Sequence, residues 1–274
     1  MENQYLQLLH HLLTKGHRRE TRSGVVYSSF GHQMTFDLSQ YFPLLTTKRM
    51  YWKGIVEELA WFLRGSTDVN ELRDKKVHIW DGNTKDRDYD AGPVYGFQWR
   101  HFGATYTTCK ADYTSKGQDQ IRNIIFLIKN NPTSRRIFLS GWNPPQMYQM
   151  ALPPCHVSYQ FYVDSENKLH CQMYQRSADV FLGLPFNIGS TALFTHLLAH
   201  ECGRKVGNIH IVIGDAHLYE EHAGVAAIQV RRVPHLLPTL EINREKDGLW
   251  NVKGSEVKLV DYKHHGALKA KMAV

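Results

Sequence analysis

One thiol stands out by its surroundings. Cys155 lies in MALPPCHVSYQFYV, Met150 to Val163, behind two prolines and ahead of an alternating apolar segment. In QRSADVFLGLPFN, Gln175 to Asn187, Arg176 closes a second such segment and Asn187 opens a helix-like run. A thiol on rigid backbone near cationic groups suits nucleophilic catalysis. The thiolate is the reactive form, and nearby positive charge makes it accessible near neutral pH. The competing reading is a small buried hydrophobe, the usual fate of a free cysteine. Glu58 is a second candidate. It sits in an apolar helical pattern beside Glu57, as a surface residue or, if buried, as an acid/base group.

Other signals carry less. Sixteen histidines invite a metal reading, and His196 and His200 have the spacing of a zinc pair. Their order is H-x-x-x-H-E, however, so the glutamate is misplaced for a metallohydrolase and packing explains them better. Phosphate-loop, dinucleotide-binding and nucleophile-elbow glycine motifs are missing.

The elements that must position these residues follow from periodicity. Leucines 8, 9, 12 and 13 with Tyr5 give an amphipathic N-terminal helix. A turn at Ser23-Gly24 leads into a strand running to Leu38, and Trp52, Ile55, Val56, Leu59 and Phe62 mark a helix over 51–63. A helix over 117–130 stops at Asn131-Pro132. Strands are expected over 135–142, 156–163, 168–175 and 208–213, and helices over 186–201 and 218–230. Strands and helices do not alternate strictly, which predicts an α+β fold.

Composition agrees with a soluble globular chain. It has 274 residues, 42% hydrophobic and 22% charged, with no linker-like or repetitive tract, which suggests one large core or two domains at most. No apolar run approaches the roughly 20 residues needed to span a bilayer, and the N-terminus does not read as a secretory signal. Four cysteines without a C-x-x-C pair fit a reducing compartment. A net charge of +7 and a pI of about 9.1 suggest anionic ligands, a small phosphorylated molecule as readily as nucleic acid.

Read together, the segments PLLTTK, EELAWFLRGST, IWDGN, GPVYGFQWRHFG, SRRIFLSGWNP, MALPPCHVSYQFYV, QRSADVFLGLPFNI, GDAHLY and MAV resemble the thymidylate synthase family in order and spacing over the whole chain. The likeness is closer to its animal and viral branch. It implies a single domain over 1–274, with a large mixed sheet covered by helices and one sheet face forming a dimer interface. The implied reaction is reductive methylation of dUMP to dTMP, with 5,10-methylenetetrahydrofolate as co-substrate and no metal. By resemblance Cys155 adds to uracil C6, so that C5 can attack a one-carbon unit.

The same resemblance implies the other roles. Arg22, Arg135, Arg136, Arg176 and Ser177 would bind the 5′-phosphate, since guanidinium suits phosphate. Arg135 and Arg136 would come from the other subunit of a homodimer, and Arg176 would also hold Cys155 as thiolate. Asn187 would read the uracil amide, with Gln175 among the nucleotide contacts and His217 and Tyr219 at the sugar 3′-hydroxyl. Glu58, Tyr95 and His156 would manage protons and water. Asp179 would bind the pterin, Trp80, Asn83, Ile79, Leu182, Gly183 and Phe186 would line the folate pocket, and Lys48 would meet the glutamyl tail. Met272, Ala273 and Val274 would close over the ligands.

Three departures stand out. The phosphate loop reads E-T-R-S-G where the family usually has D-R-T-G-T-G. The usual P-H-P-G is His264-His265-Gly266-Ala267, which predicts a looser tail hinge. Glu220-Glu221-His222 stands where the family often has Asn before the His. The rival readings are a dUMP or dCMP hydroxymethylase on the same fold, with Asn187 favouring uracil, an RNA-binding role without an RNA motif to carry it, and an inactive homologue. The expected location is the cytoplasm, or a host cytoplasm or nucleus for a viral source, with no membrane partner.

Overall fold

The computed structural model describes residues 1–272. The elements run α1 (Asn3–Lys15), β1 (His17–Thr21), β2 (Gly24–Asp37), α2 (Trp52–Arg64), α3 (Asn70–Asp74), α4 (Asp81–Thr84), α5 (Tyr95–His101), α6 (Gln120–Asn130), β3 (Phe138–Ser140), β4 (His156–Val163), β5 (Lys168–Asp179), α7 (Gly183–Cys202), β6 (Lys205–Tyr219), α8 (Ala223–Gln229), β7 (Thr239–Ile242) and β8 (Val257–Val260).

Six strands form one sheet in the order β1-β2-β6-β5-β4-β3, and β7 and β8 form a separate pair. Only the β5–β6 pairing is parallel, so the sheet is mixed and the expected α+β class holds. That parallel pair requires a crossover, and α7 supplies it. Fifteen of the 20 residues of α7 are buried, and its apolar side chains point all round, as a helix enclosed on every side must. Across it, α2 buries Ile55, Val56, Leu59 and Phe62 and stops at Gly65, whose φ of 79° is left-handed.

The structure lengthens two strands beyond the sequence expectation. β5 continues past Gln175 to Asp179, and β6 runs to Tyr219, so the helix expected from Leu218 begins only at Ala223. The cause is tertiary pairing. Asp179 sits opposite His217, and Tyr219 opposite Val26, so ladder hydrogen bonds hold residues whose local pattern looked helical. β1 was not expected, because all five of its residues are exposed and show no alternation. β3 is shorter than predicted, which leaves Arg135 and Arg136 exposed in the segment before it.

One sheet face carries the core and the other is polar. Tyr159, Phe161, Cys171 and Met173 are buried, whereas Gln160 and Gln172 are exposed. Gln160, Gln172, His210 and Thr35 form one row across four strands, and Thr35 Oγ1 lies 3.0 Å from His210 Nδ1. Tyr162 and Tyr174, 65% and 39% exposed, lie among these strands.

The segment after α8 returns beneath the site. His265 N–H donates to Thr46 O at 2.8 Å, His265 Nε2 lies 2.8 Å from Val233 O, and Arg232 donates to Gly266 O at 3.0 Å. The looser hinge expected from the missing prolines is therefore pinned by hydrogen bonds. Thr46 and Thr47 are themselves fixed by Glu2, whose buried carboxylate accepts from both backbone N–H groups and both hydroxyls at 2.6–2.9 Å. Glu2→Ala leaves four buried donors unpaired. It should cost about 2–4 kcal/mol, read as a lower midpoint in denaturant at unchanged slope.

Candidate active site

Cys155 sits at the last turn before β4, and two other elements fix its backbone. Its N–H donates to the Tyr95 hydroxyl of α5 at 2.8 Å. Its carbonyl accepts from Arg176 N of β5 at 2.9 Å. The Arg176 side chain reaches the same loop, with Nε donating to Pro154 O at 2.8 Å and Nη2 to Pro153 O at 3.0 Å. Its guanidinium also lies 5.5 Å from the centre of the Trp142 ring. The two prolines stiffen a loop whose carbonyls are then bound by the arginine.

The electrostatics differ from the expectation of a preformed thiolate. Burial pushes the Cys155 thiol above its ordinary range, and the Arg176 guanidinium opposes that rise without cancelling it. Neighbouring groups are also held neutral. Burial takes His156 down to about 3, so its imidazole is uncharged at neutral pH, with Nδ1 2.7 Å from the Tyr159 hydroxyl. The His156 ring stacks on Tyr95 with centroids 4.0 Å apart and planes 11° apart. Burial, followed by the Cys155 charge, raises Tyr95 well above 10.

Glu58 is half-buried, and its carboxyl is the part shut away from water. Burial raises its carboxyl to about 7, partly offset by the Trp80 indole N–H, which donates to Oε1 at 2.7 Å. Trp80 lies 6.3 Å from Tyr95, centre to centre, so one aromatic chain joins the acid to the thiol loop. A carboxyl poised near 7 can both give and take a proton at physiological pH.

On the other side, β5 and β6 present a second group. Asn187 lies inside α7 rather than at its start, since the helix already begins at Gly183. Asp179 fixes the turn that leads into α7, with Oδ1 accepting from Phe181 N and Leu182 N at 3.0 Å each. Gln175 Nε2 donates to Asn187 Oδ1 at 3.0 Å and so sets which way the amide faces. Ser177 lies opposite Asp215, and Asp179 opposite His217, so these four share one end of the parallel pair. His217 Nδ1 is 3.3 Å from Asp215 Oδ1, and its ring stands edge-on to Tyr219 at 5.5 Å. Burial and the Asp179 carboxylate push the Tyr219 hydroxyl up, while Ser23 and the Arg22 guanidinium pull it down, which brings the β1–β2 turn into this group.

The remaining candidates are placed unequally. Ile79, Asn83, Leu182, Gly183 and Phe186 are half-buried, and Trp80 is buried. Lys48 does not offer its ammonium to solvent. It is buried, donates to Phe181 O and lies 4.0 Å from the Phe181 ring centre, and burial lowers it to about 8. Arg135 and Arg136 are exposed near edge strand β3, whereas Arg22 belongs to the hairpin at the opposite edge. Five strand spacings separate those edges by roughly 24 Å, so one chain does not bring these arginines to one phosphate. Met272 is 46% exposed, and Ala273 and Val274 lie outside the described residues. His196 is lowered to about 4 by burial, and His200 is 3.0 Å from Arg244 O. No cluster of three or more metal-ligating side chains occurs among the described residues. No helix among them is long and apolar enough to cross a membrane.

Sequence reasoning missed several partners. Tyr159 holds His156, Trp142 faces Arg176, and Asp215, Glu220 and His222 make contacts whose other halves lie far away in the chain. His222, 1% exposed, places Nε2 2.8 Å from Lys271 O and so ties the C-terminal segment to the end of β6.

The family model described as thymidylate synthase matches residues 3–274. A bifunctional dihydrofolate reductase-thymidylate synthase of Zea mays is 48% identical over 286 residues, covering 100% of this chain and 54% of that protein. The proteins of the same name from Paramecium tetraurelia and Leishmania major are 49% and 46% identical, again over 100% of this chain and over 61% and 55% of theirs. The chain spans little more than half the length of these curated relatives. It belongs to the thymidylate synthase family.

The Trp80 hydrogen bond favours the charged form of Glu58. Trp80→Phe should therefore raise the Glu58 carboxyl further above about 7, seen as an alkaline shift in its carboxyl carbon resonance during a pH titration.

Proposed function

We propose that this member of the family converts dUMP to dTMP, using 5,10-methylenetetrahydrofolate and releasing dihydrofolate. The observation that carries the reading is the junction at Cys155. Its loop is bonded on one side to Tyr95, which leads through Trp80 to Glu58, and on the other to Arg176, on the strand that also holds Gln175 against Asn187.

In this reading Cys155 Sγ bonds to uracil C6 and C5 gains nucleophilic character. The raised thiol must lose its proton first. Arg135 and Arg136 from a second copy, joining Arg176, Arg22 and Ser177 at the phosphate, add the positive charge that one chain lacks. Asn187, oriented by Gln175, pairs with the uracil amide edge, and His217 and Tyr219 hold the sugar hydroxyl. Glu58 relays protons near uracil O4, while neutral His156 and Tyr95 order the water that takes up the C5 proton.

The folate supplies the one-carbon unit and the hydride. The residues present suit it. Asp179 Oδ1 is engaged by the turn, Oδ2 has no hydrogen-bond partner among the described residues, and Ile79, Trp80, Leu182 and Phe186 offer an apolar wall. Asn83 and Gly183 border that wall. Lys48 supports it from below through Phe181, a different task from meeting the glutamyl tail. Met272 and Ala273 would cover the folate and exclude water. Asn187, rather than a carboxylate, favours uracil over cytosine.

The polar sheet face around Gln160, Gln172 and His210 would be the homodimer interface, and the separation of Arg22 from Arg135 and Arg136 supports an assembly in which a second copy completes the site. We take 1–274 as one domain acting in the cytoplasm. RNA binding stays a secondary role without a motif.

With 5-fluoro-dUMP and the folate, a covalent adduct should map to Cys155. Cys155→Ser should form none and lose turnover by on the order of 10³-fold or more. Hydroxymethyl-dUMP with tetrahydrofolate as products would instead establish the hydroxymethylase. Sedimentation should give a dimer, and an active monomer would overturn the shared site.

A further inference from the structure

The β1–β2 hairpin closes on a two-residue turn. Thr21 pairs with Gly24, so only Arg22 and Ser23 stand at the tip, and Gly24 has a φ of 121°. No apolar side chain anchors β1, which is an exposed edge strand along its whole length. Thr21 braces the turn, its hydroxyl donating to Gly24 O and accepting from Ser23 N, and apart from this and its ladder to β2, β1 is held by charge. Arg18 and Tyr27 are cross-strand partners, and both donate to one oxygen, Glu220 Oε1, at 3.1 and 3.0 Å. Arg19 Nη1 donates to Asp215 Oδ2 at 2.9 Å. Glu220 directly follows Tyr219, the last residue of β6.

We propose that Glu220 is a positioning residue for the nucleotide phosphate: through Arg18 and Tyr27 it fixes the short hairpin so that Arg22 stands beside Tyr219. This deepens the function given above and rests on its nucleoside monophosphate substrate. It also bears on one departure from the family pattern, the compact E-T-R-S-G turn that carries Arg22; Glu221, which stands where the family often has Asn, has no structural explanation.

The sign of the effect separates positioning from simple charge. A carboxylate near a phosphate dianion repels it, so a Glu220 acting only as a charge would weaken phosphate binding, and Glu220→Gln would tighten it. A clamp acts the other way. Its loss frees Arg18 and Tyr27, the hairpin moves, and Arg22 is no longer aimed. Exposed ion pairs contribute little to stability one at a time, yet here two donors from adjacent strands meet on one oxygen, and a phosphate ligand needs placement more than added stability.

The test uses the full chain, with inorganic phosphate as a competitive probe and dUMP as substrate. Glu220→Gln should weaken both about threefold to tenfold while kcat stays within about twofold. Tyr27→Phe, which removes one donor without changing charge, should move phosphate binding in the same direction. The exchange Arg18→Glu with Glu220→Arg should recover part of the loss. In an Arg22→Ala background, Glu220→Gln should have no further effect, because the clamp acts through Arg22. Tighter or unchanged phosphate binding in Glu220→Gln, or an undiminished effect without Arg22, would overturn the proposal. If phosphate binding follows this pattern but the wild-type chain does not turn over dUMP, the functional reading fails and the clamp stands.

Discussion

The site depends on one guanidinium bound to two proline carbonyls. Arg176 Nε and Nη2 fasten Pro154 and Pro153, and its backbone N–H fastens Cys155. These bonds tie the thiol loop to β5, and β5 in turn carries Gln175, Ser177 and Asp179. An arginine has five N–H donors, so two spent on the loop leave three for an anion. The residue thus builds the loop and retains capacity to recognise a ligand. A lysine could not do both, because its point charge lacks the planar fork.

Around that junction, burial disfavours the charged form of every proton-exchanging group. The Cys155 thiol and the Tyr95 hydroxyl are raised, His156 is lowered to about 3, and Glu58 is raised to about 7. The permanent charges stand at the rim, on Arg176 and Arg22. Desolvation and cationic charge pull the thiol in opposite directions, and in a single chain desolvation wins. Any further guanidinium brought near would shift that balance, which connects the protonation of Cys155 to assembly.

Much of this was legible in the sequence, for specific reasons. The helices over 3–15 and 52–64 follow from apolar periodicity, and the strand at 156–163 from alternation. The chemistry-bearing residues were identified by motif, and the Glu58 carboxyl proved desolvated. What was not legible depends on distant partners. The last four residues of β5 and the ends of β6 are strand because β2, β5 and β6 pair there, and no window of sequence contains both sides of such a ladder. β1 has no apolar signature because it buries nothing. Lys48 was expected at the glutamyl tail, but its place against Phe181 is set by a contact 133 residues away. The tail at His264–Gly266 lost two prolines, and the hydrogen bonds to Thr46, Val233 and Arg232 that replace them are likewise invisible locally.

The order of strands also bears on how the molecule is made. β6, central in the sheet, is Lys205–Tyr219, whereas its neighbour β2 is Gly24–Asp37. During synthesis the β1–β2 hairpin emerges before β6 and must wait for nearly 170 further residues before its inner edge is covered. An unpaired edge is open to association with other chains, and pairings so distant in sequence form slowly. Ribosome-bound intermediates shorter than β6 should therefore be the species most prone to aggregate and most in need of a chaperone.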